Sequence, residues 1–187
     1  MSSAPNPIND AAVSLAFVGH ARNYLIHHYL PKIERCLEKL TDDQIWWRAN
    51  PESNSIGNLV LHLCGNARQW IIAGVNQTPD ARERDKEFQP VEVITKNDLL
   101  TTLRDTLFEI DLTLTDLDPT SLLAVRRIQG LEVSVLEAIF HVTEHFSMHT
   151  GQVLMLTKML TNTDLAFYQF EGTTAVPKWK SDAVQLP

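Results

Sequence analysis

Residues 135–160 read VLEAIFHVTEHFSMHTGQVLMLTKML, and the spacing of their apolar side chains decides the fold of this chain. Steps of three and four residues connect one stripe: Val135, Ile139, Val142, Phe146, His149, Val153, Leu156 and Leu160. This is the spacing of one face of an α-helix, so we expect a long helix with that face in a core. The stripe contains one histidine, and His141 and His145 precede it at four-residue intervals. Three evenly spaced histidines suggest chemistry as well as packing.

The same spacing predicts three more helices upstream. The first spans residues 11–40, where Pro31 is expected to kink or divide it. Ser55 is a typical cap for the second helix, and Gly74 is well placed to end it. The third helix follows from an uninterrupted four-three alternation of apolar residues within residues 95–117.

The remaining segments show little regular periodicity. Residues 118–130 read as a loop, and the chain from about residue 161 reads as a less regular tail folded against the helices. The best stretch for a strand is the short FQPVEVI at residues 88–94. Four long amphipathic segments joined by loops predict an all-α fold, a four-helix bundle, with residues 1–187 forming a single domain.

Composition limits the classes of partner. The 187 residues carry a formal net charge of −7 and the sequence pI is near 5.4, which argues against a nucleic-acid binder. The chain has no signal-peptide pattern and no run of about 18–20 apolar residues, so we expect a soluble, cytoplasmic protein without a membrane partner. Cys36 and Cys64 stand alone in the sequence, which indicates reduced core thiols.

The histidine spacing allows a metal site but leaves its members open. Two histidines four residues apart lie about 6 Å apart along a helix axis and can bind one ion. His141 and His149 are about 12 Å apart by the same rise, too far to share a small ion. The binding pair is therefore either His141 with His145 or His145 with His149.

His62 is the obvious source of a third ligand, because it lies in the apolar run of the second helix. Asn58 and Asn66 flank it at four-residue intervals and form a polar row beside the core stripe. His62 lies about 10 Å from the beginning of its helix, which sets its depth in the bundle. If helices two and four are antiparallel, this depth matches His145 with His149, and if they are parallel it matches His141 with His145. Periodicity does not settle that direction.

Other polar or soft residues read as ordinary. A lone histidine on a helix is usually hydrogen-bonded or exposed. We interpret three in this way: His20, His27 and His28. Core packing is expected for three methionines: Met148, Met155 and Met159. Glu144 points about 100° away from His145 and is expected in solvent or in a supporting position.

Two motifs together resemble a known family. The sequences SIGNLVLHLCGNARQWI at residues 55–71 and HVTEHFSMHTGQV at residues 141–153 are similar to the DinB/YfiT-like superfamily of metal-dependent enzymes. The resemblance covers the chain from helix one to about residue 160. It implies an up-down-down-up bundle, in which helices two and four are antiparallel, and it implies homodimers. Carried over residue by residue, the family's divalent-metal ligands are His62, His145 and His149.

The resemblance also suggests a reaction. Three imidazoles leave zinc or nickel with an open position, where the ion lowers the pKa of a bound thiol or water. Relatives include bacillithiol S-transferases and mycothiol-dependent maleylpyruvate isomerase, so we expect thiol-dependent transfer to a small electrophile. Asn58 and Asn66 are the expected substrate-binding residues, and His141 is expected to face the substrate as a catalytic residue or to support the ligands.

Several alternatives stay open. The metal could serve a hydrolase, or it could stabilise a non-catalytic stress-response dimer with a closed coordination shell. A helical dimerisation module without metal and a haem-binding bundle are further alternatives from other classes.

Overall fold

The computed structural model of the chain describes residues 7–89 and 94–179, and these residues are mostly helical. The α-helices have the following bounds: α1 Pro7–Tyr24, α2 Leu30–Glu38, α3 Asp42–Ile45, α4 Ile56–Ala67, α5 Lys96–Thr115 and α6 Val135–Thr161. The strands form two antiparallel hairpins: β1 Val125–Ile128 with β2 Leu131–Ser134, and β3 Tyr168–Glu171 with β4 Thr174–Pro177. Short 3-10 turns cover Arg84–Glu87 and Pro119–Leu123.

Side-chain caps fix where the long helices begin. The Ser55 hydroxyl accepts from the backbone N–H of Asn58, and Ser134 forms the equivalent capping box with Glu137 at the start of α6. Thr95 caps α5 in the same way. Because a cap satisfies backbone N–H groups that lack a helical partner, these residues set the positions of the side chains that follow.

Two widened π-helical segments extend the α-helices. Leu25–Tyr29 joins α1 to α2, and Arg68–Val75 continues α4. The predicted first helix is therefore helical almost throughout, and Pro31 lies in the first turn of α2, a position that proline tolerates. The second helix ends at Val75, one residue beyond the glycine expected to end it.

The predicted apolar stripes are buried together in one core. The largest completely buried side chains come from the helical segments and include Phe146, Leu30, Ile33, Leu37, Leu63, Ile71, Leu103 and Leu107. Helix α4 packs against both α5 and α6. Its first turn also receives Trp46, whose indole lies so close to Gly57 that a Cβ there would be 2.6 Å from the ring. The faces of α4 and α6 that carry the histidines thus meet beside this core.

The structure corrects two predictions outside the helices. The loop predicted at residues 118–130 contains β1 and the turn of the β1–β2 hairpin. The turn residues Gln129 and Gly130 both have positive φ, as the common two-residue hairpin turn requires. The tail contains the β3–β4 hairpin, so the fold is mostly helical rather than all-α. Most of the possible strand at residues 88–94 lies outside the described residues.

The methionines predicted to fill the core are exposed instead. Met148, Met155 and Met159 are 48%, 65% and 62% exposed. They lie on the face of α6 that points away from the buried stripe, so their helical spacing reflects a surface and not the core.

The cysteines are free and buried, as the sequence predicted. Burial raises the pKa of the Cys36 thiol to about 11 and that of Cys64 to about 12, so neither is a reactive thiolate near neutral pH. Among the described residues, the helices are too short or too polar to cross a membrane.

Candidate metal centre

Three imidazoles from two helices meet beside the core. Helix α4 contributes His62, and α6 contributes His145 and His149. One nitrogen from each ring lies within 4.8 Å of the other two, and the Nε2 atoms of His62 and His145 are 2.9 Å apart. Nitrogen ligands of one tetrahedral zinc ion lie about 3.3 Å from each other, given zinc–nitrogen bonds of about 2.0–2.1 Å. The three nitrogens therefore lie close enough together that they could hold a single small cation.

Hydrogen bonds at Nδ1 orient two of the three rings. His62 Nδ1 is 2.8 Å from Glu87 Oε2, and His149 Nδ1 is 2.6 Å from Gln152 Oε1. Because both partners are acceptors, each Nδ1 carries the proton and each Nε2 keeps its lone pair. This is the usual arrangement of a histidine ligand, whose second nitrogen donates to a protein oxygen.

Two imidazoles of the cluster, those of His145 and His149, favour the neutral form. Burial lowers the pKa of His145 to about 3, and the neighbouring histidines His149 and His62 add to that shift. Burial also lowers the pKa of His149, against the opposing effect of its hydrogen bond to Gln152. A neutral imidazole is the form that binds a metal ion, so these rings do not require deprotonation at neutral pH.

The direction of the two helices brings the later histidine pair to His62. His62 lies beside His145, whereas Asn66, one turn later on α4, lies beside His141, one turn earlier on α6. Helices α4 and α6 are therefore antiparallel where they meet, which is the arrangement that selects His145 with His149.

His141 lies next to the cluster but outside it. Its Nε2 is 3.2 Å from Asn66 Nδ2, and its ring centroid is 4.0 Å from that of Trp70. Burial lowers the pKa of His141 as well. The Oδ1 atom of Asn66 is buried and, within the part of the chain that the structure describes, has no hydrogen-bond partner. His141 and Asn66 thus form a polar pair one helical turn from the predicted ligands.

Asn58 has a structural position. It is completely buried, its Oδ1 accepts from Ser55 and from Arg48, and its Nδ2 donates to the backbone oxygen of Glu87. These bonds use the donors and acceptors of the amide to hold the start of α4 against the turn at Arg84–Glu87. A substrate contact by Asn58 stays a prediction that its burial does not favour.

Sequence reasoning missed Glu87 and Arg82, which contact the cluster from a connecting segment. Burial by itself raises the pKa of Glu87, but hydrogen bonds from Arg82 and His62 outweigh it and lower that pKa, so the carboxylate is ionised. Both residues stand in the charged stretch RERDKE, where no periodicity distinguishes Glu87 from Glu83. No sequence signal could have found them.

A cavity of about 640 Å³ lies on the other side of this ion pair. Arg82, Glu87 and Gly65 are among the residues that line it, and the three histidines are not. The ion pair therefore separates the ring nitrogens from this cavity.

Comparison with known proteins identifies the family. The family described as "Protein of unknown function (DUF1572)" matches residues 13–170. The chain belongs to this family. The DUF1572 chain is also similar to the solved structure of a DinB-like protein from Bacillus cereus, with a TM-score of 0.57 and 16% sequence identity. That alignment covers 71% of this chain and 85% of the Bacillus cereus chain. The resemblance to the DinB/YfiT-like fold is confirmed.

No curated protein matches the chain. The region that places it in DUF1572 contains the three clustered histidines together with Arg82 and Glu87. The candidate centre thus lies wholly inside the part of the chain that defines its family.

Proposed function

We propose that His62, His145 and His149 bind one divalent cation, zinc or nickel, and that this centre makes the protein a metal-dependent enzyme. The observation that carries the proposal is the convergence of three ring nitrogens within 4.8 Å, with two rings already oriented through Nδ1. Structural zinc sites have four protein ligands, whereas catalytic sites have three and an open position. The cluster has three members among the described residues, which favours catalysis.

The reaction that we propose is transfer of a low-molecular-weight thiol to a small electrophile. A bound cation would supply positive charge that lowers the pKa of a thiol held in the site. The sulfur then forms a bond to the electrophilic carbon, the leaving group departs with its electron pair, and a base takes the thiol proton. The resemblance to bacillithiol- and mycothiol-dependent members of the DinB/YfiT-like superfamily supports this choice of substrate.

Residues beside the cluster can serve that reaction. His141 is our candidate for the base, because its lowered pKa keeps the imidazole neutral near pH 7. Asn66 is our candidate for a substrate-positioning residue, since its Oδ1 can accept a hydrogen bond that no described residue supplies. Metal-dependent hydrolysis, with water in place of the thiol, is the second candidate reaction at the same centre. A non-catalytic metal-binding stress-response dimer is the third.

Metal content and a thiol panel test the proposal together. Protein purified without a nickel column should contain about one equivalent of zinc or nickel. It should also accelerate loss of glutathione, bacillithiol or mycothiol in the presence of monochlorobimane. His145→Ala should lose the metal, whereas His141→Ala should keep the metal and lose turnover. Absence of stoichiometric metal would overturn the metal centre, and bound metal without turnover of any thiol would favour hydrolysis or the non-catalytic role.

We further propose a single domain wound as an up-down-down-up four-helix bundle, which the antiparallel contact of α4 with α6 supports. A cytoplasmic location is part of this proposal, because two free buried thiols suit a reducing compartment. The substrate is a small molecule, and we expect neither a nucleic acid nor a membrane as partner.

A homodimer is proposed through the outer face of α6. Four large apolar side chains are exposed there and fall within about 100° around the helix: Phe140, Met148, Met155 and Met159. Large exposed apolar side chains on one helix face commonly mark a contact between proteins. The oligomeric state in solution tests this proposal.

A further inference from the structure

A buried ion pair lies directly behind His62. Arg82 Nε donates to Glu87 Oε1 at 2.7 Å, and Arg82 Nη2 donates to Glu87 Oε2 at 2.8 Å. The side chains of Arg82 and Glu87 are only 4% and 9% exposed. Burying two charges is costly unless their hydrogen bonds are well satisfied, and an apolar pair is often as stable. A buried ion pair in contact with a predicted ligand therefore calls for a specific role.

We propose that Arg82 and Glu87 position His62 for metal binding: Glu87 accepts a hydrogen bond from the Nδ1–H group of His62, and Arg82 holds the Glu87 carboxylate in place. This inference rests on the proposed metal centre and adds two positioning residues to it. With the proton on Nδ1, the Nε2 lone pair of His62 faces His145, where the predicted ion would lie. Neither positioning residue contacts the ion in this account.

A second donor beside His62, the Arg82 guanidinium, explains why Glu87 is needed to keep the proton on Nδ1. Arg82 Nη2 is 3.2 Å from His62 Nδ1, but the two atoms are both donors as long as Nδ1–H donates its hydrogen bond to Glu87. Without the carboxylate, Arg82 would donate to Nδ1, and the single proton of the neutral ring would move to Nε2. That tautomer has no lone pair available for a metal ion. Glu87 therefore decides which nitrogen of His62 is a ligand.

The fold makes room for the ion pair and anchors it. Gly65 follows His62 by three residues on α4, and a Cβ at Gly65 would clash with Glu87 Oε1. Arg82 Nη1 also donates to Gln69 Oε1 at 2.9 Å, on the π-helical continuation of α4. The pair is thus fixed against the same helical segment that carries the ligand.

Comparison of Glu87→Ala with Glu83→Ala tests the inference. Glu83 is a matched control, because it belongs to the same segment and carries the same charge but pairs with exposed Lys86. We expect Glu87→Ala to bind zinc about 10–100-fold more weakly, the usual effect of losing such a partner, in competition titrations with a chromophoric chelator. Glu83→Ala should keep the wild-type affinity.

Imidazole nitrogen NMR of the metal-free proteins gives a second readout that needs no metal. The wild type should carry the His62 proton on Nδ1, and Glu87→Ala should carry it on Nε2. If the wild type binds no zinc, the proposed function fails, while the tautomer comparison still decides the role of Glu87. Wild-type affinity together with Nδ1 protonation in Glu87→Ala would overturn the inference.

A second variant, Gly65→Ala, tests the same inference if the Glu87→Ala protein does not fold. Gly65→Ala keeps both charges but forces the end of the Glu87 side chain to move, and alanine is the better helix former. It should also weaken zinc binding and reduce Nδ1 protonation of His62. A Gly65→Ala protein with wild-type affinity and tautomer would contradict the positioning role.

Discussion

Replacing His145 by alanine removes one of the three proposed ligands, whose ring centroid lies 4.9 Å from that of His62 and 4.5 Å from that of His149. His145 belongs to either histidine pair that the spacing allows, and its Nε2 is 2.9 Å from His62 Nε2. The matched control is His141→Ala, which removes the same side chain one turn earlier on the same helix. In the wild type, His141 Nε2 faces Asn66 and lies outside the cluster. The two variants therefore separate loss of a ligand from loss of a neighbouring imidazole.

The expected difference follows from binding linkage. At free zinc equal to 100 times the dissociation constant, the wild type gains about 2.7 kcal/mol of unfolding free energy. A variant with about a thousandfold weaker affinity gains less than about 0.1 kcal/mol at the same concentration. For a chain of this size, a loss of about 2.7 kcal/mol corresponds to about 5–11 °C in melting temperature.

Differential scanning calorimetry with zinc and with chelator measures this gain directly. We expect a zinc-dependent rise of about 5–11 °C for the wild type and for His141→Ala, and none for His145→Ala. The metal-free His145→Ala protein should remain folded, because the substitution leaves no buried charged residue without its ion-pair partner. A full zinc-dependent rise in His145→Ala would refute the ligand assignment, and its absence in all three proteins would refute the metal centre.

Three further predictions concern stability and assembly. The folded-state pKa of His145 is about 3, below its usual 6.5. Below pH 6.5 the unfolded chain therefore binds more protons than the folded chain, and the unfolding free energy of the metal-free protein should fall as the pH drops. Denaturant titrations at several pH values should show a smaller fall in His145→Asn, and an equal fall would count against the shift. Phe146→Ala should lower the unfolding free energy by about 3–5 kcal/mol, because the ring is completely buried, whereas Phe170→Ala, at an exposed position on β3 outside the proposed dimer face, should change it by less than about 0.5 kcal/mol. Similar losses for the two variants in urea unfolding would contradict that burial. Met155→Asp should convert the proposed dimer to a monomer, as measured by light scattering after gel filtration. Phe170→Asp changes a similarly exposed residue on β3 and should leave the dimer intact. A monomeric wild type would refute the dimer proposal.

The helices and the clustered histidines could be predicted because their signals are local. A four-three stripe follows directly from burial of one helix face, and histidines at four-residue spacing share a face of α6 wherever that helix packs. The partner helix was less certain, because periodicity does not give direction. The antiparallel contact of His62 with His145 supplies what the sequence alone left open.

The failures have three different physical origins. Glu87 reaches His62 across 25 positions of sequence, and its neighbours in the segment are just as charged. Met155 and its neighbours repeat at helical spacing, but spacing does not tell which of two apolar faces is buried. The β1–β2 hairpin depends on a two-residue turn at Gln129 and Gly130, within a segment too short for strong alternation.

X-ray absorption spectroscopy of protein loaded with one equivalent of zinc tests the central claim most directly. Convergence of His62, His145 and His149 on one ion predicts three imidazole nitrogens at about 2.0–2.1 Å, with the remaining ligand oxygen or sulfur from solvent or an added thiol. His145→Ala should lose one imidazole from that shell or lose the ion. A spectrum with fewer than three imidazoles in the wild type would contradict the account, and so would one unchanged by the substitution.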